Sequence, residues 1–496
     1  MSNQLFYGDN LEVLRRHIKD ESVDLCYIDP PFNSKRNYNQ IYNNVGKEDQ
    51  AQAQAFIDTW TWDDIANQGL AEIQENYLGH FTSQSIDLIS GLAKVLGKGS
   101  LLAYLVSMTL RIAEIHRVLK PTGSFYLHCD QTASHYIKLV CDTIFCSDRG
   151  EFRNEIIWCY RKWSINQNQF VHNHDNIFFY TKSGSNTFNV QFIPLSDGTL
   201  RRWKGKKQQA IFNENGKRTA DSLETESQGS PMPDWWEISI INPAAKERLG
   251  YPTQKPESLL ERIIKSSSNE GDVVFDAYCG CGTSVAVSQR LNRQWIGIDI
   301  TYQSISLILK RLEDSFGKGV LENITLNGIP KDMEAAVALA NKSDDRTRKE
   351  FEKWAVLTYS NNRAIINQKK GADKGIDGIA YFRSEKDDPE KIILQVKSGK
   401  VKSGDIRDLQ GTMTRESAVL GIFITLQKPT KDMLKESKEA GIYQSQYMSA
   451  PVDRIRIVTV QEIIEEQKRL DILLALEVLK SAEKQMEVKQ GTLDLD

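Results

Sequence analysis

The chain has 496 residues, 40% of them hydrophobic and 26% charged, an ordinary balance for soluble globular proteins and enough for two or three domains with their own cores. Its 63 basic and 66 acidic residues leave a net charge of −3, so whole-chain charge names no partner, although a local basic face suffices to hold phosphates. The start, MSNQLFYGDN, lacks the basic region and apolar core of a signal peptide, and the most apolar stretch, LLAYLVSM from Leu101, is too short to span a bilayer, so no membrane segment is expected. Seven scattered cysteines, none after Cys281, read as reduced thiols of a cytoplasmic protein.

From Met1 to about Pro330, short apolar runs alternate with helical stretches, the pattern of an α/β domain. LEVLRRHI at Leu11 is helical, and VDLCYI at Val23 reads as an interior strand of a parallel sheet. That strand must stop at Asp29-Pro30-Pro31-Phe32, because two prolines remove two backbone donors and fix φ. A plain turn explains the aspartate before proline, but not the aromatic that follows, nor the placement at a sheet end where ligands bind. LRIAEIHRVLK at Leu110 is helical, and the turn KPTG leads into the strand GSFYLHCD. Residues from about Glu151 to Asn242 break the rhythm. They include RRWKGKKQQ at Arg201 and NENGKRTADSLETESQGSPMPDWW, and read as an insertion with long loops. His172 and His174 stand close together without evident partner ligands, and are read as structural or hydrogen-bonding residues.

Residues 271–300, GDVVFDAYCGCGTSVAVSQRLNRQWIGIDI, read as strand, glycine-containing loop, helix and strand. Gly280 and Gly282 allow a tight turn and close backbone approach to a ligand at a helix N-terminus, which Thr283 or Ser284 would cap. Asp299 ends the second strand, the usual place for a carboxylate that accepts hydrogen bonds from ribose hydroxyls. The loop has neither the lysine of a phosphate-cradling P-loop nor a full three-glycine dinucleotide pattern. Cys279 and Cys281, with no second cysteine or histidine pair at zinc-like spacing, read as small packing residues.

Beyond a helical, then polar, linker (331–345) lies a compact set: helix RKEFEKWAVLTY, strands GIDGIAYF and KIILQVKSG, helix DIRDLQGTMTRE and strand VLGIFITL. Asp377 precedes Gln395 and Lys397 by about 20 residues, each on a strand. Two oxygen donors beside an ammonium suit Mg²⁺-dependent phosphodiester hydrolysis, with Asp377 and Gln395 as metal ligands and Glu350 or Glu352 as a further candidate. Residues 463–496 repeat apolar positions at helical spacing, and would pack on the domain or on a second copy, as in a homodimer.

DPPF and FDAYCGCGTS resemble motifs IV and I of the S-adenosylmethionine-dependent DNA amino-methyltransferases, in the order of the β group. YGDNLEVL at Tyr7 and TQKPESLLERII at Thr253 look like that group's leading strand and pre-loop helix. The resemblance implies a Rossmann-like methyltransferase domain over 1–330 with a target-recognition insertion at about 151–242, acting on double-stranded DNA. By that likeness Phe275, Asp276, Ala277, Gly280, Gly282 and Asp299 surround the cofactor, and Asp9, Thr253, Lys255 and Pro256 complete its pocket. Phe32 stands where tyrosine is commoner, and Tyr278-Cys279 where proline-phenylalanine is often seen.

The amine of a base is a poor nucleophile because its lone pair is delocalised into the ring. The Asp29 carboxylate and the Pro30 carbonyl, stiffened by Pro31, would grip both N–H groups and localise that pair, with Phe32 stacked on a flipped-out base. The leading aspartate favours adenine N6 as the target, with cytosine N4 the alternative. In the insertion, Arg201, Arg202, Lys204, Lys206, Lys207 and Trp203 would contact phosphates and bases, and Trp235-Trp236 are either core or a base-facing wedge. Residues 346–462 are similar to the Mrr-type restriction endonucleases of the PD-(D/E)xK fold, which often carry Gln in the acidic position. The expectation is thus a bifunctional restriction–modification protein. The competing readings are a methyltransferase with a degenerate DNA-binding nuclease domain, an RNA or protein-glutamine methyltransferase, and an inert DNA-binding module.

Overall fold

The computed structural model describes residues 3–472 apart from 33–35, 41–42, 45–46, 49–52, 59, 78, 148, 163–167, 169, 213–216, 243, 252, 331, 342–344, 361–363, 367–374, 384–388 and 445–450. The expected tail helices therefore lie mostly outside the described residues.

Nine strands make the larger sheet: β1 (Asn3–Tyr7), β2 (Val23–Ile28), β3 (Leu119–Cys129), β4 (Glu151–Cys159), β5 (His174–Thr181), β6 (Trp235–Glu237), β7 (Val273–Asp276), β8 (Gln294–Asp299) and β9 (Ile324–Asn327). Their order is β6-β4-β5-β3-β2-β7-β8-β1-β9, and β5 alone runs against the others. The fold is the Rossmann-like α/β class expected from the sequence. Strands far apart in the chain become neighbours, for Leu25 of β2 pairs with Val274 of β7 and Cys26 with Phe275. Both strands point the same way, so Asp29 and the loop after Asp276 emerge at one carboxyl edge.

The expected strand at 23–28 is buried at five of its six positions, as a central parallel strand should be. LLAYLVSM and LRIAEIHRVLK turn out to be one helix, α1 (Ser100–Val118), which packs into the main core under β2 and β3. Helix α2 (Glu257–Ser267) buries Leu259, Leu260, Ile263 and Ile264 against the opposite face of the sheet. Trimming any one of these to alanine costs about 2–5 kcal/mol. The departure from rhythm expected at 151 begins later, because β4 and β5 are integral strands of the sheet. Outside it stand the short helix Asp197–Trp203 and an antiparallel hairpin, Lys206–Phe212 with Arg218–Glu226.

The smaller sheet has the order β10 (Ile365–Ile366), β11 (Gly378–Arg383), β12 (Pro389–Lys397), β13 (Leu420–Thr425), β14 (Ile455–Thr459). Its first three strands pair antiparallel, and β12, β13 and β14 run parallel, with helix Ser403–Arg415 crossing between β12 and β13. This is the PD-(D/E)xK nuclease-like arrangement expected. The stretch read as a linker forms helix α3 (Met333–Ala340), and Ala336, Leu339 and Ala340 sit in the second core with Phe351 and Trp354. Tyr302, from the larger domain, belongs to that same core.

No described helix is long and apolar enough to cross a membrane. All seven cysteines are free thiols.

Candidate active sites

Asp29 sits where β2 ends, followed by the buried Pro30 and half-buried Pro31 and Phe32. Its Oδ2 forms an ion pair with Lys255 Nζ, which also donates to the Thr253 carbonyl at 3.4 Å. Its Oδ1 is buried and has no hydrogen-bond partner. A buried carboxylate oxygen without a donor is costly, and such groups in folded proteins call for an explanation. The Phe32 ring stacks against His128 at 5.9 Å between centroids and lies 5.7 Å from Lys255 Nζ.

Beneath Phe32, His128 is wholly buried and satisfied at both ring nitrogens, by Tyr27 Oη at 3.0 Å and Asp175 Oδ2 at 3.2 Å. Tyr160 Oη donates to the other Asp175 oxygen at 2.9 Å. Burial alone would raise the Asp175 carboxyl, but the hydrogen bond and charge interaction with His128, the charge of Lys255 and the bond from Tyr160 hold it down at about 2.

The glycine loop follows β7. Gly280 and Gly282 have φ of +51° and +72°, values that a side chain adopts only under strain. A Cβ on Gly282 would also lie 2.7 Å from Ile308 Cγ1, so only glycine lets the loop rest on helix Tyr302–Phe316. The expected cap is corrected, because Gly282 itself occupies the N-cap of helix Thr283–Arg290 without a side-chain bond. Thr283 Oγ1 instead accepts from Arg311, which also binds the Cys281 carbonyl at 3.2 Å and Glu257 at 2.7 Å. Ser284 Oγ turns inward and donates to Asp276 Oδ2.

Asp299 ends β8, accepting from Gly280 N at 3.0 Å and from Thr301 N at 2.9 Å. Burial pushes Asp276 up to about 7, assisted by the charges of Asp29 and Asp299 and opposed by Ser284 and the Tyr278 amide. Burial likewise raises Asp299 to about 6 against the bonds from Thr301 and Gly280. The charges of Asp29 and Asp299 thus oppose ionisation of Asp276, and a cation bound beside the loop would relieve that opposition.

Other pocket candidates take supporting places. Asp9 caps helix Asn10–His17 through Oδ1 and pairs with Arg111 at 3.0 Å through Oδ2. Phe275 is fully buried in the main core, and the Ala277 carbonyl accepts from Asn10 Nδ2 at 2.9 Å. Thr253 has φ +63°, and Pro256 is the N-cap of α2. Sequence reasoning missed Asn10, Arg111 and Tyr251, whose ring would meet a Cβ on Gly280 at 3.1 Å. Polar residues flanking the motifs were the only signal.

In the smaller sheet Gly378 pairs with Leu394, so Asp377 stands opposite Gln395 and shares a face with it, and Lys397 two residues on points the same way. Asp377 Oδ2 accepts from Val396 N at 2.6 Å. Gln395 is buried, and its Oε1 has no partner. Gly375, at φ +75°, presses so close that a Cβ would lie 2.8 Å from Gln395 Nε2. Glu350 is corrected as a metal candidate: it faces the larger domain, accepting from Tyr7 Oη at 3.2 Å and Tyr302 N at 3.3 Å, and pairs with Lys353 at 2.5 Å. Among the described residues no group of three or more His, Cys, Asp or Glu could hold a metal. Gln131 lies between His172 and His174, a hydrogen-bonding role as expected.

In the insertion, Arg201, Arg202, Lys204, Lys206 and Lys207 are exposed, with Arg202 over the Trp203 ring at 5.3 Å. Trp236 is core, bonded to the Pro233 carbonyl, whereas Trp235 is 58% exposed on the edge strand.

Residues 23–310 match the family model for DNA methylases, and residues 344–463 match that for a restriction endonuclease. The type II methyltransferase M.HpaI of Haemophilus parainfluenzae is 33% identical over 41% of this chain and 58% of its own length. The DNA adenine methyltransferase YhdJ of Escherichia coli (strain K12) is 28% identical over 62% of this chain and 82% of its own. Among solved structures, the cytosine-N4-specific PvuII DNA methyltransferase aligns with 65% of this chain and 92% of its own at 15% identity and TM-score 0.37. With its family match spanning more than half of the sequence, the chain belongs to the N6/N4 DNA methylase family and carries an Mrr-type restriction endonuclease domain behind it.

Proposed function

We propose that the chain methylates an exocyclic amine of a base in double-stranded DNA, adenine N6 in preference to cytosine N4, using S-adenosylmethionine, and that its second domain cleaves DNA with Mg²⁺. The observation that carries the first activity is the buried, unpartnered Asp29 Oδ1 on the same sheet edge as the glycine loop. Asp29 Oδ1 and the Pro30 carbonyl accept the two N–H groups of the amine and draw its lone pair out of the ring, while the prolines keep both oxygens in place. When bound, S-adenosylmethionine supplies an electrophilic methyl group on a sulfonium. Asp276, Gly280, Gly282 and Asp299 hold it by charge and by close backbone approach. After nitrogen gains its new bond, Asp29 takes the surplus proton and passes it to water. The leading aspartate supports adenine, as does the likeness to a relative described as an adenine methyltransferase.

Labelled S-adenosylmethionine and duplex DNA test this reading, followed by digestion to nucleosides. Label is expected in N6-methyladenine and absent with Asp29→Ala. Label in N4-methylcytosine reverses the base assignment, and label in RNA or protein alone refutes DNA as the substrate.

For the second activity, the supporting observation is the buried Gln395 Oε1 that lacks a donor, opposite Asp377. Those two oxygens fit a hard cation that completes its shell with water and phosphate. When bound, Mg²⁺ supplies charge to the scissile phosphate, and Lys397 steadies the developing negative charge. Plasmid cleavage in Mg²⁺ is expected to vanish in Asp377→Ala and in Lys397→Ala. No cutting of any DNA, methylated or unmethylated, by the unaltered protein would leave this domain a binding module.

A further inference from the structure

Lys255 was expected among the residues around the cofactor, yet its ammonium is already committed elsewhere. It is 8% exposed, forms an ion pair with Asp29 Oδ2 across 226 residues of sequence, and donates to the Thr253 carbonyl. An ammonium so buried needs an anionic partner, and removing either member of such a pair strands the other charge.

The surroundings fix the lysine from both sides. Pro256 confines the backbone of the residue before it to extended conformations, and α2, which begins there, is anchored by four buried Leu and Ile side chains. On the other side Thr253, a β-branched residue held at φ +63°, turns its carbonyl toward the ammonium. The same ammonium lies 5.7 Å from the Phe32 ring centroid, so one side chain ties together both ends of the Asp-Pro-Pro-Phe segment.

We propose that Lys255 is a positioning residue for methyl transfer: by holding Asp29 Oδ2 it fixes the carboxylate so that only Oδ1 is left free to accept from the base amine. This inference rests on the methyltransferase reading above and assigns a task within it. It also explains why the cation is a lysine. An ammonium is a point charge that one carboxylate oxygen and one carbonyl can satisfy. A guanidinium is a planar fork that takes both oxygens of a carboxylate, and would occupy the acceptor the amine needs.

The experiment compares the full-length protein with Lys255→Met and Lys255→Arg. It measures S-adenosylmethionine affinity by calorimetry, single-turnover methyl transfer to duplex DNA at saturating cofactor, and thermal midpoint. In Lys255→Met the transfer rate is expected to fall about 100-fold, with cofactor affinity within about threefold of the unaltered protein. Lys255→Arg keeps charge and length and so guards against loss of fold. It is expected to bind cofactor normally and still lose at least about tenfold in rate.

A loss of cofactor affinity in Lys255→Arg that matches the loss of rate would return the lysine to the cofactor pocket and overturn the proposal. So would a near-normal rate in Lys255→Met. A near-normal rate in Lys255→Arg would refute the need for a single-point cation. If the unaltered protein methylates no DNA, the underlying reading fails, whereas methylation that is indifferent to Lys255 fails this inference alone.

Discussion

Replacing Asp276 with Asn should reverse part of the protein's dependence of stability on pH. In the fold this carboxyl is pushed from 3.8 up to about 7, first by burial and then by the charges of Asp29 and Asp299. A folded-state value above the unfolded one means that the protonated side chain is the form the fold tolerates. Its favourable contribution is complete below pH ~4 and is lost as pH rises toward about 7. A rise of about three units corresponds to roughly 4 kcal/mol at the upper end of that window. Asparagine carries no charge at any pH and retains an acceptor for either Ser284 or the Tyr278 amide. At pH 5 the variant should be no more stable than the parent. By pH 8 its stability relative to the parent should have climbed by about 2.5 kcal/mol, the share of that loss which falls between pH 5 and about 7. Urea titrations of cofactor-free protein at both pH values, followed by hydrogen-exchange mass spectrometry on peptides covering 271–300, read this unit separately from the second domain. A difference that stays constant between pH 5 and pH 8, or that falls, would refute the claim that Asp276 is held protonated by its surroundings.

Gly282→Ala should cost at least about 1–2 kcal/mol from the left-handed backbone alone, with cofactor affinity falling as the loop shifts off Ile308; urea unfolding and calorimetry check the two parts. Asp175, held down at about 2 by His128, Lys255 and Tyr160, contributes stability that is present above pH ~4 and lost as pH falls toward 2. Asp175→Asn should therefore cost about 2 kcal/mol at pH 7 and progressively less below pH 4, measured by denaturant titration. Gly375→Ala would push a methyl group into the Gln395 amide, so plasmid cleavage should drop while methyl transfer to DNA is unchanged. Loss of both activities would mean that the damage had spread beyond the smaller sheet.

What could be read from sequence were features whose cause is local. An apolar run stopped by two prolines must be a strand that ends there, so β2 stood where expected, whereas α2 was foreseen only through the likeness of TQKPESLLERII to the family's pre-loop helix. Paired glycines marked the loop because few other residues tolerate its backbone. The pairing of Lys255 with Asp29 was illegible, since it depends on β2 and β7 becoming neighbours, a crossover that no local pattern encodes. Glu350 misled for the same reason: its helix was foreseen, but not that its carboxylate side would meet Tyr7 and Tyr302. Strand β4 was assigned to the insertion because its first half is largely polar and exposed, and β5, buried at six of its eight positions, was lost among the polar residues on either side of it. The caps of helix Thr283–Arg290 were misplaced because Asp276, behind the loop, competes for Ser284.

The seating of Tyr302 among Phe351, Trp354 and Leu339 has a practical corollary for anyone dissecting this molecule. A truncation after residue 344 would strip the cover from that tyrosine and leave α3 with its apolar stripe bare to water, inviting self-association. A fragment starting at 346 would arrive with the matching gap and a Glu350 carboxylate that keeps Lys353 but has lost its Tyr7 and Tyr302 donors. Point substitutions confined to one site at a time are the sounder way to tell the two halves apart.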